Sequence, residues 1–205
     1  MLYTDVLTPV ALELLKGIQQ NPMFADTRLV GGTALALQIG HRTSIDLDFF
    51  GHVDLLPDDL HLELQTYGPV SRRGANRRMQ GYMVAEVQVD FVDYPYAWLA
   101  PAVEDDGLRL AACRDIAAMK LSAITNRGSK KDFIDLLFLL EMFTLREMLD
   151  FYKAKFVDGG LFPVVKSLVF FDDAEEDPMP EMLKRCDWHE AKRRIVEAVA
   201  ASTFE

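Results

Sequence analysis

The stretch LVGGTALAL at residues 29–37 decides the fold. Its start predicts a short strand that ends at Val30, where Gly31-Gly32 interrupts it, and the apolar residues from Thr33 predict a short helix. Glycine lets a backbone approach a ligand closely, and the N–H groups at a helix N-terminus bind phosphate. Thr33 can add a hydroxyl, either as a helix cap or as a phosphate donor. Alone, the same pattern also fits a purely structural strand-to-helix turn.

The next stretch, HRTSIDLDFF at residues 41–50, supplies two carboxylates. Residues 45–50 alternate between apolar and polar types, which predicts a strand with Ile45 on the apolar face and Asp46 and Asp48 on the other. Like charges this close are costly unless a cation neutralises them, and such hard oxygen ligands suit Mg²⁺. The pair alone also fits a solvated strand face or the D-x-D motif of metal-dependent glycosyltransferases.

A third carboxylate is expected on a neighbouring strand. Residues 70–92 have a β-like pattern, and within them residues 86–91 alternate strictly between polar and apolar types. Asp90 lies on the polar face of this strand, whereas its competitor Asp93 sits where the strand ends. Asp90 would then complete a metal site with the first two carboxylates, although an ordinary solvated strand residue fits the same pattern.

The chain becomes helical after about residue 112. The first predicted helix starts at Thr8-Pro9. Further helices are predicted for Pro57 to Gln65, Asp115 to Thr125, Asp132 to Met142, Leu145 to Phe156 and His189 to Ala200. The acidic stretch at 171–180 is predicted as a loop. We therefore expect an α+β fold, with a mixed β-sheet and flanking helices in residues 1–111 and a helical region in residues 112–205.

The composition limits the class of protein. Half of the 205 residues are apolar, which is enough for a sizeable core without stabilising disulfides or metal ions. The two cysteines, Cys113 and Cys186, have neither metal-ligand nor disulfide spacing. No apolar run reaches the roughly 18 residues of a membrane span, and the first ten residues lack the features of a signal peptide. These features predict a cytoplasmic protein without a membrane partner. The net charge of −10 argues against broad, non-specific nucleic-acid binding.

Two basic clusters are local exceptions to the acidic balance. They comprise Arg72, Arg73, Arg77 and Arg78 in the first, and Arg127, Lys130 and Lys131 in the second. Such clusters fit either an electropositive patch that binds an RNA acceptor through its phosphates or a solvated hairpin loop and helix end. Arg42 can likewise bind a phosphate or a nearby carboxylate, and Ser44 can be a structural hydrogen-bond donor.

Together these stretches resemble the DNA polymerase β-type nucleotidyltransferase superfamily, and within it the AbiEii-type branch, the toxins of type IV toxin–antitoxin systems. The resemblance covers nearly the whole chain and rests on the two stretches above, on VQVDFVDYPY at 87–96 and on DIAAMKLSAITNRGSKKDFIDLLFLL at 115–140. One departure is Thr33, which stands where the family usually has serine and keeps the hydroxyl.

The resemblance implies transfer of a nucleoside monophosphate from an NTP to a hydroxyl, possible acceptors being tRNA or other RNA. It implies two Mg²⁺ ions held by Asp46, Asp48 and Asp90. The residues implied to bind the NTP are Gly31, Gly32, Thr33, Arg42 and Lys120; without the family, Lys120 fits a snorkelling lysine equally well. An acidic residue of the helical half is also implied at the site, and the motif favours Asp132 over Asp135. An antitoxin protein, or a neighbouring gene for one, is the implied partner.

Three alternatives use the same residues differently. A phosphotransferase would use the same site on another bond of the NTP. A non-catalytic module would bind a nucleotide or a partner protein without transfer. A D-x-D glycosyltransferase would need a nucleotide-sugar pocket and would leave the glycine turn unexplained.

Overall fold

The computed structural model of the chain describes residues 1–53, 56–76 and 78–202. Within them seven strands form one mixed sheet in the order β3-β4-β5-β2-β1-β7-β6. The strands are β1 (Thr27–Leu29), β2 (Leu47–Gly51), β3 (Val70–Ala75), β4 (Met79–Val84), β5 (Val87–Asp93), β6 (Val103–Asp105) and β7 (Leu108–Leu110). The helices are α1 (Pro9–Gln20), α2 (Gly31–Ile39), α3 (Pro57–Leu64), α4 (Cys113–Asn126), α5 (Lys130–Leu139), α6 (Leu145–Lys155), α7 (Leu161–Ser167), α8 (Asp172–Glu175) and α9 (Trp188–Ser202). The predicted α+β class is confirmed.

The chain divides into two compact units. The first comprises Met1–Ile39, Thr43–Pro95 and Ala102–Ala111, and it holds the sheet with α1, α2 and α3. The second comprises Gly40–Arg42, Tyr96–Pro101 and the chain from Ala112 onward, and it holds α4 to α9. Each unit therefore contains segments that are distant in sequence. Across the described residues, no helix is both long and apolar enough to cross a membrane.

The helices of the first unit begin where the sequence indicates. The side chain of Thr8 accepts a hydrogen bond from the Ala11 N–H, and Pro9 occupies the first turn of α1, where its missing N–H costs nothing. Asn21 then ends α1 before Pro22. The apolar stripe of α1 is buried, with Leu15 and Ile18 fully excluded from solvent.

The strand that carries the acidic pair is shorter than predicted. It begins at Leu47, and Ile45 is 62% exposed instead of facing the core. On β2 only Leu47 and Phe49 have fully buried side chains, which leaves Asp48 and Phe50 on the opposite face. The prediction that Ile45 joins the apolar face is therefore wrong, because the segment before Leu47 is not part of the sheet.

The hairpin of β6 and β7 was absent from the sequence prediction. Its strands have three residues each, too few for a clear alternating pattern. Asp106 and Gly107 connect them with φ angles of 51° and 76°. An Asp-Gly pair favours this kind of two-residue hairpin turn, so the dipeptide was the available signal.

Helix α4 is the centre of the second unit and packs against α5, α6 and α7. Thr144 and Glu147 form a capping box at the start of α6. The stretch 171–180, predicted as a loop, contains the short helix α8. Far along the chain, Arg42 forms an isolated β-bridge with Met182, so the C-terminal segment is tied to residues 40–42 of the same unit.

A buried ion pair crosses the second unit. The Lys155 ammonium lies 2.6 Å from Asp115 Oδ1, and both side chains are completely excluded from solvent. Asp115 also accepts hydrogen bonds from the backbone N–H groups of Leu99 and Ala100, while Lys155 donates to the Ala97 carbonyl. This pair therefore fixes α4, α6 and the segment 96–101 to one another.

We expect Asp115→Ala to lower the free energy of unfolding by about 3–5 kcal/mol, because it leaves a buried ammonium without its counter-ion. The measurement is urea unfolding followed by circular dichroism. Glu197→Ala is the matched control, since it removes an exposed helical ion pair with Arg193, and exposed pairs contribute little. Equal, small effects of both changes would contradict the structural role of Asp115.

Candidate active site

Two carboxylates meet on the sheet of the first unit. Strands β2 and β5 are parallel neighbours, and Asp48 pairs directly with Asp90 in their register. Paired residues on adjacent strands project from the same face, so the two side chains lie side by side. Asp48 is half-buried, and Asp90 is 6% exposed.

The start of α2 lies directly against Asp48. Gly31 has a φ of +70°, and a Cβ at this position would be only 2.7 Å from Asp48 Oδ2. A residue with a side chain would therefore strain the backbone and collide with the carboxylate. The structure places Gly31 and Gly32 in the first turn of α2, two residues before the predicted helix start at Thr33. The positive end of this helix consequently lies beside an acidic group.

Thr33 anchors the segment that leads into β2. Its side chain is buried, and its hydroxyl donates a hydrogen bond to the Asp46 carbonyl. The Ser44 hydroxyl lies 2.7 Å from the Thr33 hydroxyl oxygen, and the Ser44 N–H donates to the Val6 carbonyl. These contacts fix the backbone of Asp46, which precedes the strand carrying Asp48. The hydroxyl of Thr33 is therefore already engaged within the fold.

Asp90 has one oxygen that lacks a hydrogen bond. Gln88 donates to its Oδ2 at 2.9 Å, whereas its Oδ1 is buried and accepts no hydrogen bond within the part of the chain that the structure describes. Arg73 Nη1 approaches this Oδ1 only to 3.9 Å. A buried carboxylate oxygen left unsatisfied is costly, and a cation or a donated proton would remove that cost.

These observations fit a divalent cation, with one restriction. Residues 1–53, 56–76 and 78–202 contain no group of three histidine, cysteine or acidic side chains that could hold a metal ion by itself. Mg²⁺ usually takes one or two carboxylates and completes its shell with substrate phosphates and water. The adjacent Asp48 and Asp90 meet that requirement, and the three-carboxylate set with Asp46 stays a prediction.

The second unit contains a network of five charged side chains and a histidine, of which Arg127 is 59% exposed and the others are buried. Asp135 is at its centre: Arg42 donates to both of its oxygens at 2.7 and 3.0 Å, His41 Nε2 lies 2.8 Å away, and Lys120 also contacts it. Lys120 Nζ in addition donates to Asp132 Oδ1 at 2.9 Å. Asp132 accepts two further hydrogen bonds from Arg127.

The network sets the charge states of its members. Burial alone would raise the pKa of Asp135, but Lys120 and Arg42 hold that pKa well below its usual range. Burial likewise opposes charge on Lys120, yet the two carboxylates raise its pKa. The sequence prediction left Asp132 and Asp135 as alternatives, and the structure gives both a place beside Lys120. His41 was not predicted, because nothing in its local sequence indicates burial.

The described members of the two predicted basic clusters have different contacts. Arg72 contacts Asp58 and the Pro57 carbonyl, and Arg73 points toward Asp90. In the second cluster Lys130 is 7% exposed and donates to the Glu175 carbonyl. Arg77 lies outside the described residues.

Solved structures that share this fold include a nucleotidyltransferase toxin. MenT4, a nucleotidyltransferase toxin from Mycobacterium tuberculosis, superposes with a TM-score of 0.61 at 18% identity, covering 97% of this chain and 86% of that chain. JHP933 from Helicobacter pylori gives a TM-score of 0.62 at 18% identity, covering 96% of this chain and 93% of that chain. At these identities the likeness establishes the fold. The mixed sheet and its flanking helices are thus a nucleotidyltransferase fold.

The sequence assigns the chain within that class. The sequence model of the family described as the nucleotidyl transferase AbiEii toxin of type IV toxin–antitoxin systems matches residues 13–205, and the chain belongs to this family. An uncharacterised protein of Aquifex aeolicus is 35% identical over 158 residues, which cover 74% of this chain and 77% of that protein. The family resemblance inferred from the motifs is confirmed.

We expect Thr33→Val to lower the free energy of unfolding by about 1–2 kcal/mol, because the Asp46 carbonyl and the Ser44 hydroxyl lose a buried partner. Thr33→Ser keeps the hydroxyl and should stay close to the wild type. Urea unfolding of the three proteins measures the difference. Identical stability of the valine and serine variants would show that the hydroxyl anchors nothing.

Burial lowers the pKa of His41, with Arg42 and Lys120 adding to the shift, although the hydrogen bond with Asp135 opposes it. An unfolded histidine takes up a proton near pH 6.5, whereas native His41 resists protonation. The stabilisation is therefore present above pH 6.5 and is lost as the pH falls toward the native pKa, with a slope of at most about 1.4 kcal/mol per pH unit.

The measurement is the free energy of unfolding at pH 7.5, 6.5 and 5.5 for the wild type and His41→Gln. We expect a steeper fall in the wild type over this interval, whatever the absolute stability of the variant. Parallel curves would show that His41 titrates alike in both states.

Proposed function

We propose that this protein is a metal-dependent nucleotidyltransferase that moves a nucleoside monophosphate from an NTP to a hydroxyl group. The observation that carries the proposal is the register pair Asp48 and Asp90 beside the N-terminal turn of α2. A helix N-terminus binds phosphate, and paired carboxylates bind the cation that accompanies a triphosphate. Family membership and fold support the same reaction class.

The first unit supplies the groups that would hold the substrate. The backbone of Gly31 and Gly32 would contact the triphosphate, and Thr33 would keep the Asp46 segment in place. Asp46, Asp48 and Asp90 would hold Mg²⁺, two ions in the full proposal. When bound, Mg²⁺ neutralises phosphate charge and lowers the pKa of the attacking hydroxyl.

The transfer forms one bond and breaks another. The acceptor oxygen bonds to the α-phosphorus, the bond from that phosphorus to the β-phosphate oxygen breaks, and pyrophosphate leaves with the electron pair. The hydroxyl proton goes to the Asp90 carboxylate, whose Oδ1 accepts no hydrogen bond from the described residues. Positioning and charge stabilisation then account for most of the acceleration.

Three residues of the second unit enter the proposal through the family resemblance. Lys120 and Arg42 would bind the triphosphate, and Asp132 would supply the acidic residue of the helical half. Their charged groups already contact one another or Asp135. The carboxylates of the network therefore hold Lys120 and Arg42 in place.

The biological setting follows from the family. An NTP is the proposed donor, RNA such as tRNA is the proposed acceptor, and an antitoxin is the proposed partner. We place the activity in the cytoplasm, where NTPs and RNA occur together. A phosphotransferase acting on the γ-phosphate remains the second candidate, because the same carboxylates and helix terminus would serve it.

We expect Asp48→Ala to reduce label transfer from α-labelled NTPs to RNA by more than about 10²-fold, the scale of losing a preorganised charge-stabilising group. Asp150→Ala is the control, because it removes an exposed carboxylate from a helix. Each α-labelled NTP is incubated with Mg²⁺ and total RNA, and the products are separated on gels. Full transfer by Asp48→Ala would overturn the site, and labelling from γ-labelled NTP alone would establish the phosphotransferase.

A further inference from the structure

Strand β3 carries a β-bulge directly beside the candidate site. Arg72 pairs with Tyr82 and Gly74 pairs with Gly81, so the register shifts at Arg73. A bulge puts two residues of one strand opposite a single residue of its partner and re-aims a side chain. Arg73 is therefore the extra residue that the bulge inserts between the Arg72–Tyr82 and Gly74–Gly81 pairs.

The bulge turns Arg73 toward the carboxylate face of the sheet. Its Nη1 lies 3.9 Å from Asp90 Oδ1, although one strand separates the two residues. Gly81 leaves the intervening space open, because a Cβ there would be 2.8 Å from Asp90 Oδ1. The neighbouring Arg72 contacts Asp58 and the Pro57 carbonyl instead, so the bulge separates two adjacent arginines.

A lane without side chains runs from the edge of the sheet to Asp90. Gly74, Gly81 and Asp90 are successive cross-strand partners on β3, β4 and β5. β3 is the edge strand, and a Cβ at Gly74 would meet no heavy atom within 4 Å. The lane ends at the buried Asp90 Oδ1 that lacks a hydrogen bond, and the Arg73 side chain, 42% exposed, borders it.

We propose that this lane, formed by Arg73, Gly74 and Gly81, is the subsite for the terminal nucleotide of a single-stranded RNA acceptor. Arg73 binds the last phosphate, and the terminal ribose hydroxyl reaches Asp90. The inference rests on the proposed function, which requires a hydroxyl at Asp90, and adds where the acceptor binds and by which charge. The net charge of −10 disfavours extended contact with a polyanion. The proposed contact is therefore confined to the terminal nucleotide of the RNA.

The first test measures binding without turnover. A short single-stranded RNA with a 5′ fluorophore is titrated by fluorescence anisotropy at several salt concentrations. Arg73→Gln should weaken binding about tenfold and reduce the magnitude of the log–log salt slope by about 0.7, the value for one phosphate contact on a single strand. Arg72→Gln removes the same charge from the adjacent residue and should leave both quantities near the wild type.

A second test is steric. Gly74→Leu places a side chain in the lane, where a Cβ meets no neighbour, so we expect it to fold normally. It should raise the KM for RNA about tenfold or more while kcat at saturating RNA changes less. Ala75→Leu is the matched control, because Ala75 pairs with Gln80 and therefore projects from the opposite face.

Binding of Mg²⁺ and an NTP to each variant, measured by calorimetry without RNA, separates the possible outcomes. Unchanged NTP binding with weaker RNA binding in Arg73→Gln and Gly74→Leu supports the subsite. Unchanged RNA affinity and salt slope in Arg73→Gln would overturn it, as would an equal loss in Arg72→Gln or a loss confined to NTP binding. If the wild type binds RNA but transfers nothing from any NTP, the proposed function fails while the binding result stands.

Discussion

The parallel register of β2 and β5, which pairs Asp48 with Asp90, is the constraint on which the candidate site depends. Two carboxylates on adjacent parallel strands raise each other's energy until a cation arrives. The surrounding residues leave room for that cation: each carboxylate lies against a glycine, Asp48 against Gly31 and Asp90 against Gly81. A side chain at either glycine would collide with a carboxylate oxygen, so the absence of a Cβ at both positions leaves space beside each carboxylate.

The buried carboxylates of the second unit, unlike Asp90, are paired with basic side chains. Asp115, Asp132 and Asp135 are fully buried, and each has a lysine or arginine counter-ion in contact. Asp90 is nearly as buried but keeps an oxygen without a hydrogen bond within the described chain. A buried carboxylate with all its hydrogen bonds stabilises a fold. A buried carboxylate oxygen without one lowers the stability of the fold, and a ligand that binds this oxygen removes that cost. Asp90 is therefore the buried carboxylate of this comparison that is suited to bind a ligand.

Local sequence predicted the features that depend on neighbours in the chain. Thr8-Pro9 starts α1, and the alternation around Asp90 corresponds to β5. The same rules failed where tertiary contacts decide. Ile45 fits an alternating strand but is exposed, because the strand begins at Leu47. The hairpin of β6 and β7 has strands too short to show a period, and the burial of His41 depends on Asp135, which is far away in sequence.

The sequence by itself determined the family, the α+β class and the residue types of the candidate site, because the glycines, the acidic pair and Asp90 occur in recognisable local patterns. Only the tertiary structure decided that Asp48 and Asp90 lie side by side on neighbouring strands. The parallel register of β2 and β5 brings Asp48 to Asp90, and the bulge at Arg73 sends that side chain toward Asp90 while Arg72 binds Asp58. Register and bulges arise from hydrogen bonds between distant segments, and periodicity along one strand does not contain them.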